Sequence, residues 1–426
     1  MYPLSPPVIC VFEQALADTL SAQRVERMLA ALGRDLGSVE RVTDADIPDL
    51  IRRHGWQDAR SRQGALGGHA EPALVFTTLC CGDKPDSAPV LKACPPGTPA
   101  WLVGHLLGHG GKVLARENYT SSRGVCRARV QFDTLYGCPH GCIYCPGGKV
   151  AVVFTNLEEF VERQVIPAAA AEPWQKVFMF NSCLSDTPCF EPEYGLSKLL
   201  VEYFASTPDQ HYLIHTKSAN TDFLHALDHR GHTIVLWSLS ADTASRLVEP
   251  GTASAEERIE AARRCQEAGY TVRFKLKPIV PLRGWREEYR RLISLLFART
   301  RPDSIGLFML AWMDLQELKA ILDLSLLEPD FVQALEDSAA AMKGVTAGPF
   351  PHAARAQVYH FLLEEIRRYD RDVPVFLCTE TLDMWSEFAP LLGVEPSNYV
   401  CACGPQCLPG MKRLPQVLAP SEIRAS

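Results

Sequence analysis

Three cysteines lie close together in residues 138–145, a stretch that also contains proline and glycine. Three residues separate Cys138 from Cys142, and two separate Cys142 from Cys145. Thiolates are the usual protein ligands of iron–sulfur clusters. Three thiolates on one loop can hold a [4Fe–4S] cluster and leave its fourth iron open to a chelating small molecule. The spacing therefore predicts a cluster site of this kind.

Two other interpretations of these cysteines are open. A zinc site more often uses two Cys-x2-Cys pairs or a mixed Cys/His pattern, and this loop has one such pair. His140 could complete a zinc set, but it lies inside the loop, where we expect it to be solvated. A disulfide fits poorly with three close cysteines in a long chain of intracellular character. The cluster is therefore the favoured interpretation.

The spacing C-x3-C-x2-C, with Tyr144 just before the last cysteine, resembles the signature of the radical S-adenosylmethionine (SAM) enzymes. The motif also follows a predicted strand at residues 129–135, where that family places it. The resemblance implies that SAM binds the open iron and is cleaved reductively to a 5′-deoxyadenosyl radical. In such enzymes the cofactor supplies the chemistry, and the protein supplies orientation and exclusion of water. Tyr144 is accordingly predicted to be a cofactor-binding residue.

SAM also needs polar partners at the ends of neighbouring strands. Lys217 follows a predicted strand at residues 211–215, and Ser238 and Ser240 end another at residues 233–240. A lysine at a buried strand end is costly without an anion, which makes Lys217 a candidate partner for the SAM carboxylate. A solvated lysine at the rim is the alternative. Ser238 and Ser240 share one face of their strand, and either could contact the cofactor.

Several further stretches resemble the spore photoproduct lyase branch of the radical SAM family. They surround Cys183, Lys217, Ser238 and residues 249–258, and the resemblance covers residues 125–290. It implies that Lys217 and Ser238 correspond to positions that contact SAM. It also implies that Cys183 passes a hydrogen atom to the product radical. An S–H bond is weaker than most C–H bonds, so a thiol at the barrel mouth can do this; a buried structural cysteine is the alternative.

A second group of cysteines departs from the lyase pattern. Cys401, Cys403 and Cys407 lie within seven residues, and Cys378 ends a predicted strand before them. We predict that these four bind an auxiliary [4Fe–4S] cluster, with a frayed tail or a zinc knuckle as the alternatives. Such a cluster can conduct electrons, hold a substrate or give up a sulfur atom. Lesion repair needs none of these, which favours small-molecule chemistry.

These residues depend on a regular alternation of strand and helix patterns that begins near residue 125. Repeated β/α units with short connections imply parallel strands and right-handed crossovers. The predicted fold is α/β, a partial (β/α)6 TIM-type barrel with its chemistry at the carboxyl ends of the strands. The predicted domains are an N-terminal cap (1–124), the barrel (125–320) and a cysteine-bearing C-terminal extension (321–426). Six barrel strands are predicted at residues 129–135, 177–180, 211–215, 233–240, 270–277 and 304–310.

Local signals predict several further elements. Residues 21–32 are predicted to form a helix with Ser21 as its N-cap, and Ser254 with Glu257 forms a capping box before another helix. A helix is also predicted at residues 221–229. Residues 104–111 contain two histidines at the spacing of a helical metal pair, but their glycines favour a loop.

Composition limits the remaining possibilities. The chain has 426 residues, of which 47% are hydrophobic and 22% charged, as in ordinary globular proteins. The net charge of −7 makes duplex DNA a less favoured partner, although a local basic groove could still be present. No stretch approaches about 18 apolar residues, so we expect no membrane partner. Fifteen cysteines without a secretory signal predict a cytoplasmic location.

Together these features predict a radical SAM enzyme with two [4Fe–4S] clusters. We expect it to abstract hydrogen from a nucleoside- or nucleotide-like small molecule, with flavodoxin or ferredoxin as the reducing partner. The tail cysteines favour sulfur insertion in antibiotic biosynthesis, similar to enzymes that make thionucleosides. The first alternative is lesion repair of the spore photoproduct lyase type, with Cys183 as hydrogen donor. The second is a non-catalytic iron–sulfur redox or sensing protein, which would need no SAM pocket.

Overall fold

The computed structural model describes residues 1–59, 61–66, 71–115, 124–181 and 184–415. Its strands run in two main sheets and one two-stranded ribbon. In chain order the strands are β1 (Ile9–Phe12), β2 (Glu40–Val42), β3 (Ala73–Thr77), β4 (Gly111–Ala115), β5 (Arg129–Asp133), β6 (Leu135–Tyr136), β7 (Val150–Phe154), β8 (Val177–Met179), β9 (His211–Thr216), β10 (Thr233–Leu239), β11 (Thr271–Ile279), β12 (Ile305–Met309) and β13 (Val375–Leu377).

The helices cover the outer faces of these sheets. Within the described residues, none is both long and apolar enough to cross a lipid bilayer. In chain order the α-helices are α1 (Thr19–Ala31), α2 (Ile47–His54), α3 (Ala88–Ala93), α4 (Ala100–Leu106), α5 (Leu157–Phe160), α6 (Ile166–Ala171), α7 (Leu196–Ala205), α8 (Asp242–Val248), α9 (Ala255–Glu267), α10 (Trp285–Arg299), α11 (Leu315–Ile321), α12 (Pro329–Met342), α13 (His352–Tyr369) and α14 (Leu382–Leu392).

The larger sheet is a curled, six-stranded half-barrel. Its strands lie in the order β13-β12-β11-β10-β9-β8, and each is parallel to its neighbours. Most residues of these strands are buried, as expected when helices cover one face of a parallel sheet and side chains fill the other. The predicted α/β partial barrel is therefore confirmed.

The identity of two strands differs from the prediction. The predicted first barrel strand, residues 129–135, forms β5 and β6 instead. β5 pairs antiparallel with β4 and meets β8 through an isolated bridge between Phe132 and Phe180. The sixth place is taken by β13, which pairs with β12 at Leu307 and Leu377. A local pattern identifies a strand but not its partner, which explains the error.

The smaller sheet joins the N-terminal region to the barrel. Its strand order is β2-β1-β3-β7-β6, with β6 alone antiparallel to its neighbour. β6 and β7 flank the first cysteine loop, so this sheet fixes both ends of the loop. Hydrogen-bonded strands therefore cross the predicted boundary at residue 124, and β13 crosses the one at residue 320. Those boundaries stay predictions.

Three local predictions are wrong in detail. The N-cap of α1 is Asp18, whose carboxylate accepts the backbone N–H of Ser21 at 2.8 Å. The Ser21 hydroxyl is buried instead and donates to the carbonyl of Ala15. Helix α4 includes His105, where a loop was predicted, and residues 221–229 form only the 3-10 helix Asp222–Ala226.

The predicted capping box before α9 is present. The Ser254 hydroxyl accepts the Glu257 N–H, and the Glu257 carboxylate accepts the Ser254 N–H at 2.7 Å.

The concave face of the half-barrel encloses the lumen. Strand register places the side chains of Ser238, Lys275 and Phe376 on this face, at the level of Gly306. A Cβ atom on Gly306 would lie 2.6 Å from the Phe376 ring and 3.1 Å from Lys275 Cγ. Gly306 therefore leaves the space that these two side chains occupy.

Candidate active site

The first cysteine loop, residues 138–145, lies at the carboxyl ends of the barrel strands. The Ile143 N–H donates to the carbonyl of Val248 at 3.0 Å, and the Gly251 N–H donates to the carbonyl of His140 at 2.9 Å. On the barrel side, Val248 is the last residue of α8 and Gly251 follows that helix, which comes directly after β10. This is the position that the barrel rule predicts for residues that do chemistry.

His140 fixes the loop from within. It is almost completely buried, so the expectation that it is solvated is wrong. One ring nitrogen contacts the Gly251 carbonyl at 2.9 Å, and the other contacts the Asp186 carboxylate at 3.0 Å. Burial opposes the charge on His140, but the negative charges of Cys138 and Asp186 outweigh it and raise the pKa of the ring to about 9. Asp186 also accepts the N–H of Lys217, which ties the loop to the end of β9.

A buried carboxylate links Tyr144 to two cations. The Tyr144 hydroxyl donates to Glu249 at 2.7 Å, and Glu249 forms ion pairs with Lys217 at 2.6 Å and Arg258 at 3.1 Å. Burial would raise the pKa of Glu249, but Lys217 and Arg258 outweigh it and hold the pKa at about 2. A single ionised carboxylate therefore joins the loop, β9 and α9.

The predicted cofactor-binding residues Lys217, Ser238 and Ser240 differ in the partners that their side chains contact within the protein. Lys217 has an anion within the protein, Glu249, and its ammonium also donates to the carbonyl of Lys277 at 2.9 Å. Ser238 faces the lumen and its hydroxyl contacts the His215 ring at 2.9 Å, whereas Ser240 donates to the carbonyl of Pro278 at 3.2 Å. Of the two serines, only Ser238 therefore directs its hydroxyl to a side chain in the lumen.

Strand β11 contributes cations that the sequence analysis missed. Arg273, Lys275 and Lys277 alternate along it and so face the lumen together. The Lys277 ammonium lies over the rings of Phe308 and Trp312, 4.5 and 4.7 Å from their centroids. Alternating charges within an otherwise apolar strand were the available signal.

The second cysteine loop, residues 401–407, approaches the barrel from the amino ends of the strands. The carbonyl of Pro405 accepts the N–H groups of Lys176 and Val177 at the start of β8. Arg273, near the start of β11, donates to the carbonyls of Ala402 at 3.1 Å and Cys407 at 2.7 Å. The two cysteine loops therefore approach the barrel from opposite ends.

The tail cysteines meet a lysine in the lumen. Cys401 and Cys403 have their sulfur atoms 3.7 Å apart, and the Lys275 ammonium lies 3.1 Å from the Cys403 sulfur. The hydrogen bond from Cys401, together with Lys275 and Arg129, holds the pKa of Cys403 below its ordinary value despite burial. Burial would lower the pKa of Lys275, but the negative charges of Cys403, Cys378 and Cys401 outweigh it and raise the pKa above its ordinary value.

The spacing of the sulfur atoms tests which metal group would fit. Zinc in a tetrahedral thiolate site has Zn–S bonds of about 2.3 Å, which places its sulfurs about 3.8 Å apart. Within the described residues, neither cysteine loop has three sulfurs that all lie within 4.8 Å of one another. The three thiolates of the first loop therefore do not all fall within zinc spacing, and they fit a larger iron–sulfur cluster better. In the tail, Cys401 and Cys403 have the spacing of a zinc site, with their sulfurs 3.7 Å apart, so zinc remains the alternative there.

One predicted residue cannot be located. Cys183 lies outside the described residues, so its role as hydrogen donor stays a prediction. The neighbouring Asn181 side chain accepts the N–H groups of Thr134 and Leu135 at 2.6 and 3.0 Å. This amide fixes the end of β8 against the strand that leads to the first cysteine loop.

Comparison with known proteins shows what the barrel region resembles. A family model described as spore photoproduct lyase matches residues 128–306, which is less than half of the chain. The chain is 30% identical over 191 residues to spore photoproduct lyase of Bacillus subtilis (strain 168), which is 43% of this chain and 55% of that protein. It is 28% identical over 173 residues to the lyase of Clostridium acetobutylicum, which is 39% of this chain and 51% of that protein.

Solved structures of spore photoproduct lyase share the fold. A complex of that enzyme with dinucleoside spore photoproduct has a TM-score of 0.57 at 15% identity, covering 89% of this chain and 99% of the other. A variant with bound AdoMet and dinucleoside spore photoproduct has a TM-score of 0.55 at 17% identity, with the same coverage. In sequence, the chain spans about half the length of the curated lyases that it matches.

Proposed function

We propose that this protein is a radical SAM enzyme that acts on a nucleotide-like substrate in the lumen of its barrel. The observation that carries the proposal is the first cysteine loop, which holds Cys138, Cys142 and Cys145 at the carboxyl ends of the strands and continues into the polar network of Glu249 and Lys217. Cys138, Cys142 and Cys145 would hold a [4Fe–4S] cluster, which would supply the electron for reductive cleavage of SAM after reduction by a partner such as flavodoxin or ferredoxin.

The residues of the chain have separate tasks in this proposal. The three thiolates hold the cluster, and His140 holds the loop in place through Gly251 and Asp186. Tyr144 and Lys217 remain our candidates for cofactor contacts. Because Lys217 is already paired with Glu249, a bound SAM carboxylate would share this lysine with Glu249 rather than neutralise a free charge.

The charge of the lumen supports an anionic substrate. Within the described residues, the Lys277 ammonium has no hydrogen bond or ion pair, only the two aromatic rings beneath it. Burial and the nearby cations Lys275 and Lys217 lower the pKa of Lys277, although Cys378 opposes this. A phosphate or similar anion near Lys277 would relieve this accumulation of positive charge. A nucleotide offers such a group.

The reaction outcome has two candidates. The relatives and structures described above carry the name spore photoproduct lyase, so they support lesion-lyase chemistry better than our main prediction of sulfur insertion. The specific observation that keeps sulfur transfer as a second candidate is the tail site, where Cys403 contacts Lys275 inside the lumen. The proposed auxiliary cluster would lie close enough to a lumen substrate to donate sulfur or hold it.

One experiment with two arms tests these proposals. The anaerobically reconstituted protein, reduced in the presence of SAM, should release 5′-deoxyadenosine, measured by liquid chromatography and mass spectrometry. Changing Cys138, Cys142 and Cys145 to Ala should abolish the release, whereas Cys94→Ala should not affect it. Release that survives the triple change would contradict the proposed site. No release from the native protein would favour the non-catalytic redox interpretation.

The second arm uses Cys401→Ala with Cys403→Ala and a dinucleoside spore photoproduct as substrate. Conversion of this lesion by the double variant at the native rate supports lyase chemistry that is independent of the tail. Loss of conversion, with 5′-deoxyadenosine still formed, would instead place the tail site in the reaction.

A further inference from the structure

A short segment, residues 124–127, passes between the two stretches of chain that carry the tail cysteines. The Val125 N–H donates to the carbonyl of Glu380 at 2.7 Å. Gly124 has φ +102°, and a Cβ atom there would lie 2.5 Å from the carbonyl oxygen of Thr379. The segment is therefore pressed against the residues that directly follow Cys378.

The other side of the same segment contacts the second cysteine loop. The Arg127 guanidinium lies over the ring of Tyr399, 4.5 Å from its centroid, two residues before Cys401. Cys126 lies between these two contacts, one made by Val125 and one by Arg127. Cys126 therefore lies between a residue that contacts the chain just after Cys378 and a residue that contacts the chain just before Cys401.

The charges near Cys126 agree with this placement. Arg129, three residues further along the chain, donates to the Cys403 sulfur at 3.8 Å. The half-buried Cys126 thiol lies 4.0 Å from the carbonyl of Arg127, whose guanidinium covers Tyr399. The segment that carries Cys126 therefore shares a cation with the tail thiols.

Cys407 has a different environment from these four cysteines. Its sulfur accepts the Cys401 N–H at 3.1 Å, and its carbonyl accepts Arg273. A Cβ atom on Gly404 would lie 2.4 Å from this sulfur, so the loop is folded tightly over it. The Cys407 sulfur therefore packs against the backbone of its own loop, whereas the Cys403 sulfur contacts Lys275 and Arg129.

We infer that Cys126 is a ligand of the second metal centre, together with Cys378, Cys401 and Cys403, and that Cys407 positions their loop. This inference rests on the proposed auxiliary cluster and changes its ligand set. Lys275 and Arg129 offset the charge of the thiolates, which would otherwise be costly to bury. The site would then take ligands from three separate parts of the chain.

The test measures iron in a background without the first centre. The variant with Cys138, Cys142 and Cys145 changed to Ala should bind about four irons per chain after anaerobic reconstitution. Adding Cys126→Ala should reduce the iron content at least twofold and change the electron paramagnetic resonance signal of the reduced protein. Adding Cys407→Ala should leave most of the iron, and the control Cys94→Ala should leave all of it.

One result would contradict the assignment of Cys126 as a ligand, and another would contradict the auxiliary centre on which that assignment rests. Unchanged iron and an unchanged spectrum with Cys126→Ala, while Cys401→Ala removes iron, would show that Cys126 is not a ligand. If Cys401→Ala and Cys403→Ala leave the iron content unchanged, the chain has no auxiliary centre at these cysteines.

Thiol alkylation provides a measurement that does not depend on a variant folding. In the native reconstituted protein, Cys126 should resist iodoacetamide and should become at least fivefold more reactive after iron is chelated. Cys94, which is also half-buried and whose thiol contacts the Val90 carbonyl, should react equally in both states. Equal reactivity of Cys126 with and without iron would contradict the inference.

Discussion

At the scale of single residues, Glu249 connects the first cysteine loop to the barrel wall. It accepts a hydrogen bond from Tyr144 and pairs with Lys217 and Arg258, all without access to solvent at its own carboxylate. A buried charge of this kind stabilises a structure only while its partners remain in place. Removal of Glu249 would therefore leave the charges of Lys217 and Arg258 without their buried anion, just as removal of the cations would leave Glu249 unpaired.

Glu249→Gln should destabilise the protein by about 3–5 kcal/mol at pH 7, because it leaves two buried cations without their anion. Urea unfolding of the metal-free protein measures this change, and Glu256→Gln, on the exposed side of α9, is the matched control with an expected change near zero. A Glu249→Gln variant as stable as the control would contradict the proposed role of the ion pairs.

The native protein and the Glu249→Gln variant should lose stability differently as the pH falls. The pKa of Glu249 is about 2 in the folded protein and about 4.3 in an unfolded chain. Its ionisation therefore stabilises the fold fully above about pH 4.3, and this contribution is lost as the pH falls from there towards about 2. The stability difference between the native protein and Glu249→Gln, measured by urea unfolding, should shrink as the pH falls from about 4.3 towards about 2.

The site residues of the two loops could be predicted from the sequence where they lie close together in a motif of regular spacing. Cys138, Cys142 and Cys145 have a recognisable spacing, and so do Cys401 and Cys403. Lys275 and Cys126, the ligand that we propose, have no local signal of this kind, because the segments that carry them contact chain more than one hundred residues away. His140 was misjudged for the same reason, since Asp186 and Gly251, which bury it, are distant in sequence.

At the scale of elements, the sequence predicts strands and helices better than their partners. The capping box of α9 agrees with the sequence pattern that predicted it. β13 joins the sheet at the edge of β12, whereas β5 lies at the opposite edge, beside β8, which it meets through a parallel bridge between Phe132 and Phe180. A local pattern identifies a segment as a strand but does not identify its neighbour in the sheet, so neither placement follows from the segment alone.

The packing between β12 and β13 leads to a prediction about Gly306. Gly306→Ala would place a methyl group 2.6 Å from the Phe376 ring and 3.1 Å from Lys275 Cγ. Overpacking of this kind should cost about 1–3 kcal/mol, and it should also lower the iron content of the second centre by displacing β13 and Lys275. Thermal unfolding and iron analysis measure the two effects.

Gly82→Ala is the matched control, because a Cβ atom there meets nothing within 4 Å and its backbone is not left-handed. A Gly306→Ala variant with native stability would show that Phe376 moves freely and that β13 does not fix the lumen.

At the scale of the whole molecule, the barrel is completed by the C-terminal part of the chain. β13 covers the outer edge of β12, and α13 packs on α10 through Trp285 with Phe361 and through Phe297 with Tyr369, at ring distances of 5.0 and 5.4 Å. The predicted boundary at residue 320 would separate these partners. A barrel that ended there would expose an unpaired strand edge and the apolar face of α10.

A chain that ends at residue 320 should therefore fail to fold into a stable barrel, whereas the full chain should melt cooperatively with both cysteine loops in place. Soluble yield, circular dichroism on heating and limited proteolysis distinguish these results. The shorter chain is expected to aggregate or to melt without a cooperative transition, because β12 loses its hydrogen-bonded neighbour and Trp285 loses its cover. Cooperative melting of the shorter chain within a few degrees of the native protein would instead establish residue 320 as a true domain boundary, with β13 an accessory to a barrel that folds without it.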